Sequence, residues 1–245
     1  MPGLGKILKK WLGDSYDHLG LVLLSSFVSF GIVTGGLAAL MALGRAMHAL
    51  VLFGSLAAFY ILLVSPLNAA VHVLAKKIIT HDDPSAMDLI HGFREYLTAS
   101  WALGSAQVLM TLIIAVNTWF YLTHGGLAVK ALGVLFMYVL LFWMFSSIYH
   151  YPVLIEQRPA TLKILKRGFL ITMDNLVFTG AVFFVIILLT CLCTLTLLGL
   201  PLLYAGMLSI LQTRVLRATF VKYELLPPEK EPTDEDTAWR VKDSV

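Results

Sequence analysis

Apolar residues fill this chain in long unbroken tracts rather than as one stripe of a helix or alternate positions of a strand. Five tracts, 18–44, 46–75, 96–129, 131–155 and 175–213, contain no Asp, Glu, Lys or Arg and run for 27, 30, 34, 25 and 39 residues. A helix rises about 1.5 Å per residue, so about 20 residues cross the hydrocarbon layer of a bilayer. Every tract is long enough to span, and the last is long enough to span twice. Gly199 and Pro201 supply the turn signal inside that longest run, because Pro does not continue a helix interior and Gly accepts a sharp bend. The pattern predicts an all-α polytopic transmembrane helix bundle of about six spans, at 19–43, 47–66, 97–122, 127–149, 175–197 and 200–218. Five spans is the alternative, because the last segment is apolar only from Leu200 to Leu211, before Gln212, Arg214 and Arg217. Its two arginines are expected to snorkel to the interface.

Between the tracts the period changes. Leu4, Ile7, Leu8 and Trp11 recur at helical spacing among Lys6, Lys9 and Lys10, which predicts an interfacial amphipathic helix over 1–17. Pro84 and Ser85 precede Met87, Leu89, Ile90 and Phe93, with Ser85 and Asp88 spaced as a capping box. Pro159-Ala160-Thr161 precedes Leu162, Ile164, Leu165 and Phe169 in the same manner. The two connections look alike, but their identities are too few to establish an internal duplication. The predicted organisation is the interfacial helix 1–17, a transmembrane domain 18–222, and a Pro- and acid-rich disordered cytoplasmic tail 223–245. No cleavable leader is expected, since the first apolar run follows Asp14 and Asp17 and continues at full transmembrane length.

Composition agrees: 58% of residues are hydrophobic and mean hydropathy is +0.82, against about 45–50% apolar in soluble domains. The net charge of +3 matters less than where the charges fall. Arg45 and Lys130 are the basic residues on one side of the predicted topology, and the other 16 lie opposite, with all 15 acidic residues. That asymmetry puts both termini in the cytoplasm. Lys9, Lys10, Lys76, Lys77, Lys163, Lys166 and Arg167 are the predicted inner-surface anchors for lipid phosphates.

Chemistry is sparse. The span centres carry no ionisable Asp, Glu, Lys or Arg, which disfavours a carrier that moves protons on membrane carboxylates. Cys191 and Cys193 face different sides of one helix and are read as apolar packing. Of the polar residues in the tracts, Asn68 and His72 are one turn apart beyond Pro66 and, with Asn117, are the candidate bundle or vestibule positions. The competing reading places them at the headgroups or in helix-helix hydrogen bonds. Tyr149-His150-Tyr151 reads as an interfacial aromatic belt. His81, Asp82, Asp83, Asp88 and His91 read as a solvated acidic turn rather than a metal site. No metalloprotease, phosphate-loop or nucleophile-elbow motif occurs in a fitting context. No catalytic residue, cofactor or metal is assigned.

Several segments are familiar together: Tyr16-Asp17-His18-Leu19-Gly20, Ser65-Pro66-Leu67-Asn68-Ala69-Ala70, Asn117-Thr118-Trp119-Phe120-Tyr121, and Tyr151-Pro152-Val153-Leu154-Ile155-Glu156-Gln157. In this order they resemble the YesL-type family of small bacterial integral membrane proteins. The resemblance implies a multi-pass protein of the bacterial cytoplasmic membrane with an accessory role linked to carbohydrate uptake. The apolar runs on either side of Arg45 depart from the shorter start of that family. The function expected is a non-enzymatic accessory or regulatory component of a membrane complex. The alternative is a small permease or channel, and a third class is a membrane enzyme using the cytoplasmic His and Asp groups. The partners predicted are the lipid bilayer and another membrane protein or transporter complex, with no nucleic acid.

Overall fold

The structure is a computed structural model that describes residues 3–44, 48–124 and 126–227. All regular structure among those residues is helical. Arg45 and residues 228–245 of the predicted tail lie outside the described residues. Five helices are long and apolar enough to cross a membrane: Leu19–Gly44, Ala49–Thr80, Leu97–Thr123, Val129–Gln157 and Leu176–Leu195. Only 17–28% of the residues in their apolar windows are buried inside the protein. Phe53, Leu109, Trp119, Leu135, Phe184 and Leu188 all project outward. An apolar exterior of this extent is stable in lipid and aggregates in water.

The helices follow one order three times. An amphipathic helix, α1 (Leu4–Asp17), leads through His18 into α2 (Leu19–Gly44), and the chain returns through α3 (Ala49–Phe59) and α4 (Ser65–Thr80). Next, α5 (Met87–Glu95) leads through Tyr96 into α6 (Leu97–Thr123), with return through α7 (Leu127–Ser147) and α8 (His150–Gln157). Last, α9 (Thr161–Asp174) leads through Asn175 into α10 (Leu176–Leu195), and α11 (Ala205–Lys222) closes the set. His18, Tyr96 and Asn175 break their helices with similar φ/ψ angles of −117°/35°, −100°/8° and −131°/41°. The likeness noted between the two inner connections is therefore part of a threefold repeat of helix order.

Packing follows the same cycle. α5 docks on α4, α9 on α8, and α1 on α11, while α4, α8 and α11 pack on one another at the centre. Each inner helix ends beside a left-handed residue: His81 (φ 56°), Arg158 (φ 46°) and Glu224 (φ 58°). Glycine lets two of the docked helices come close. A Cβ on Gly92 would lie 3.1 Å from the Ala70 backbone, and one on Gly168 would lie 2.8 Å from the His150 ring.

Two predicted span ends are corrected. The second span runs past Pro66 to Thr80, and the fourth runs past Tyr149 to Gln157. Pro66 does not stop its helix because a π-helical turn, Tyr60–Val64, widens the chain just before it. In an α-helix the N–H of residue 66 would serve the Leu62 carbonyl, and proline has none; Trp101 Nε1 donates to that oxygen at 3.2 Å instead. A second π turn, Leu200–Tyr204, carries Pro201 into α11. The turn before it lies at 196–198, with Leu197 at φ 52°, slightly ahead of the expected Gly199-Pro201 corner.

The amphipathic helix α1 is held by protein on its apolar side. Ile7 and Trp11 are buried, and Trp11 Nε1 donates to the Met207 carbonyl of α11 at 2.8 Å. Arg214 was expected at the interface, but it is buried and bonded to Asp14 of α1. Each charge removes the desolvation cost of the other, which a lipid-facing snorkel would not do.

Candidate functional site

A cavity of about 370 Å³ lies among α2, the π turn before α4, α4 itself, α8, the second π turn and α11. Its polar lining comes from serine, tyrosine, asparagine, histidine and glutamine, and no Asp, Glu, Lys or Arg lines it. It runs from Gln212 of α11 back to Leu200 of the second π turn, and on the second long helix from His72 back to Tyr60. At about 1.5 Å per residue, the steps from Leu200 to Gln212 make the cavity about 18 Å long.

His72, Gln212 and Tyr151 come from the three inner helices and meet at its inner end. His72 Nε2 lies 2.9 Å from Gln212 Oε1, and the His72 and Tyr151 rings stack with centroids 5.7 Å apart. His72 Nδ1 lies 2.7 Å from the Asn68 carbonyl, which accepts only a proton and so fixes one on Nδ1. The neutral ring then presents a lone pair at Nε2 and takes a hydrogen from the Gln212 amide group. A protonated ring donates to the amide oxygen instead. A half-turn of the Gln212 amide satisfies either state.

A second network forms one wall. Tyr151 donates to Ser65 Oγ at 3.0 Å, and Ser65 donates to the Ser100 carbonyl at 2.6 Å. Tyr60 donates to Gln107 Oε1 at 2.9 Å, and the Gln107 amide nitrogen lies 3.0 Å from His150 Nδ1. His150 Nε2 completes the chain with Ser146 Oγ at 3.2 Å. This directional series fixes Tyr60, Ser65 and Tyr151 as pre-oriented groups. Gly104 makes it possible, since a Cβ there would sit 2.7 Å from Ser65 Oγ.

Beyond the His72 layer the inner helices carry charge. Lys76 Nζ lies 3.0 Å from Glu156 Oε2, and Arg217 Nη1 lies 3.6 Å from Glu156 Oε1.

Asn68 and His72 both line the cavity, and Asn117 does not: its amide donates back to the Ile113 carbonyl of its own helix at 2.7 Å. Lys9, Lys10, Lys163, Lys166 and Arg167 stand exposed on the amphipathic helices α1 and α9. Lys76 and Lys77 instead pair with Glu156 and Asp88. Tyr149, His150 and Tyr151 are buried rather than belted around the rim. His81, Asp82, Asp83, Asp88 and His91 do not assemble: among the described residues no three His, Cys, Asp or Glu side chains gather as ligands. The sequence reading gave no site role to Gln107 or Tyr60 and placed Tyr151 in an aromatic belt; Gln107 is an amide buried in a charge-free run, and that was its available signal. The chain matches no family model, no curated protein and no solved structure.

Proposed function

We propose that this chain is a six-span membrane protein with both termini on the inner side, and that it passes a small, neutral, polar solute. The observation that carries the reading is the cavity: long, lined by uncharged hydrogen-bonding groups, and closed at its inner end by His72, Gln212 and Tyr151. Such a lining replaces the water around hydroxyl or amide groups and offers an ion no opposite charge. Two of the helices that bound it are interrupted by π turns, as helices beside membrane substrate sites often are.

The helix order supports a sixth span beside the five long apolar helices. If each unit goes out and returns, α11 completes the third hairpin despite Gln212, Arg214 and Arg217, because Arg214 is neutralised by Asp14 and Arg217 sits near Glu156. The basic excess on α1 and α9, with Lys76, Lys77, Arg217 and Lys222 near the inner helix ends, supports a cytoplasmic placement of that side. Single cysteines at Gly126 and Asp82, in a Cys191→Ser/Cys193→Ser background, should label from outside and inside respectively.

Purified protein in proteoliposomes should release or take up neutral polar solutes faster than empty vesicles, and a His72→Leu/Gln212→Leu variant should lose that flux. Equal rates across neutral, cationic and anionic panels would overturn the reading.

A second reading is a non-enzymatic accessory of another membrane complex in a bacterial cytoplasmic membrane. It rests on the YesL resemblance and on the few residues that separate helix ends on the outer side, Gly44 from Ala49, Thr123 from Leu127 and Leu195 from Leu200. In-membrane crosslinking that returns a defined partner, together with no flux, would favour it.

A further inference from the structure

We propose that Lys76, Glu156 and Arg217 form the inner gate of the cavity. The proposal rests on reading the cavity as a solute path. Each of the three sits on a different inner helix, and each lies four or five residues beyond a residue of the cavity floor: His72 and Lys76, Tyr151 and Glu156, Gln212 and Arg217. That places the charged layer about 6–8 Å nearer the inner surface than the floor. A solute leaving the floor toward the cytoplasm meets this layer where α4, α8 and α11 converge.

The layer is made to part. The Glu156 side chain is only 7% exposed and holds two cations, but unequally. Lys76 is ion-paired with one carboxylate oxygen at 3.0 Å and donates to the neighbouring Ile155 carbonyl at 3.4 Å, whereas the other oxygen and Arg217 Nη1 are both buried with no hydrogen-bond partner. At 3.6 Å the Arg217 contact is attraction without a bond. Separation therefore breaks one close ion pair and one long hydrogen bond to Ile155, and lets two unsatisfied groups reach water, which offsets the loss of attraction. A fully bonded trio would resist opening far more.

Each gate-bearing helix is also interrupted on the far side of the floor. π turns occupy Tyr60–Val64 and Leu200–Tyr204, and the third helix breaks at Ile148–Tyr149. These irregular ladders are where the inner segments can tilt without bending regular helix.

The test is accessibility. A cysteine replaces cavity-lining Ser209 in the Cys191→Ser/Cys193→Ser background, and inverted vesicles are treated with a membrane-impermeant maleimide. The parent should label slowly from this face. Glu156→Gln should label at least tenfold faster, and Arg217→Gln severalfold faster. The exchange Lys76→Glu with Glu156→Lys, made together with Arg217→Gln, restores one opposite-charge pair on the same helices and should label no faster than Arg217→Gln alone. Size-exclusion profiles identify any variant that fails to fold, and the remaining variant then decides. Labelling of Glu156→Gln and Arg217→Gln within twofold of the parent overturns the gate. The readout needs no solute, so absent flux with gated labelling would overturn the transport reading and leave the gate standing.

Discussion

His72 Nε2 and Gln212 Oε1 lie 2.9 Å apart, joining two inner helices separated by 140 positions in the chain. The contact closes the inner end of the cavity and leaves neither side chain without a partner. Replacing one of them by leucine strands the other. His72→Leu and Gln212→Leu should each lower stability by about 1–3 kcal/mol, and the double variant by less than the sum. Thermal unfolding in mild detergent would show this, and strict additivity would mean that the pair is not coupled.

Asp14 and Arg214 are a buried pair linking α1 to α11. Asp14→Asn takes one carboxylate charge away from the buried guanidinium and should cost about 1–3 kcal/mol. Asp14→Leu with Arg214→Met removes both charges and should recover most of that loss. A double variant no more stable than Asp14→Asn would assign the pair a role beyond neutralisation.

Asp88 gives the docking of α5 a defined acid limit. Burial works against its charge, but hydrogen bonds from the Lys77 ammonium and the Ser85 backbone N–H prevail and hold it below the ordinary 3.8. With the folded value depressed, the stabilisation is complete above the unfolded value and fades as pH falls through 3.8 toward the folded one. Protection factors across Met87–Glu95, each corrected for the intrinsic exchange rate at its pH, should therefore be steady from pH 7 to pH 5 and fall below about pH 4. Asp88→Asn should exchange faster at neutral pH and lose that dependence; an unchanged acid response would place its cause elsewhere.

Gly104 faces Ser65, and Gly199 faces the Cys193 backbone, where an added Cβ would approach within 2.7 Å. The two positions should respond differently. Gly104→Val displaces Ser65 and, through Tyr151 and Gln107, should reduce cavity binding as well as stability. Gly199→Val spreads the turn between α10 and α11 and should act on stability, by about 1–3 kcal/mol. Solute binding and melting temperature measured on both variants separate the two effects.

The sequence-based reading recovered the parts of this fold that depend on local composition. Long uncharged runs state where lipid-facing helices lie, and the Ser85–Asp88 spacing delivers half of a capping box, with Ser85 N donating to Asp88 Oδ2 at 2.8 Å. Pro66 misled because a proline signals a stop locally, and its rescue by Trp101 depends on a residue 39 positions away from Leu62. Asn68 and His72 were legible as polar groups one turn apart. Asn117 looked the same in sequence, but its amide is satisfied within its own helix. The layer of Lys76, Glu156 and Arg217 has no sequence signature, since Pro66, Pro152 and Pro201 precede its members at unequal distances.

The docking of α1 on α11 joins two helices far apart in the chain. During translation α1 leaves the ribosome well before α11, which supplies the surface that receives Ile7 and Trp11. Nascent chains ending before residue 205 would carry that apolar stripe uncovered, a ready handle for chaperones and quality-control proteases. Synthesis of α11 thus covers the stripe and withdraws that handle.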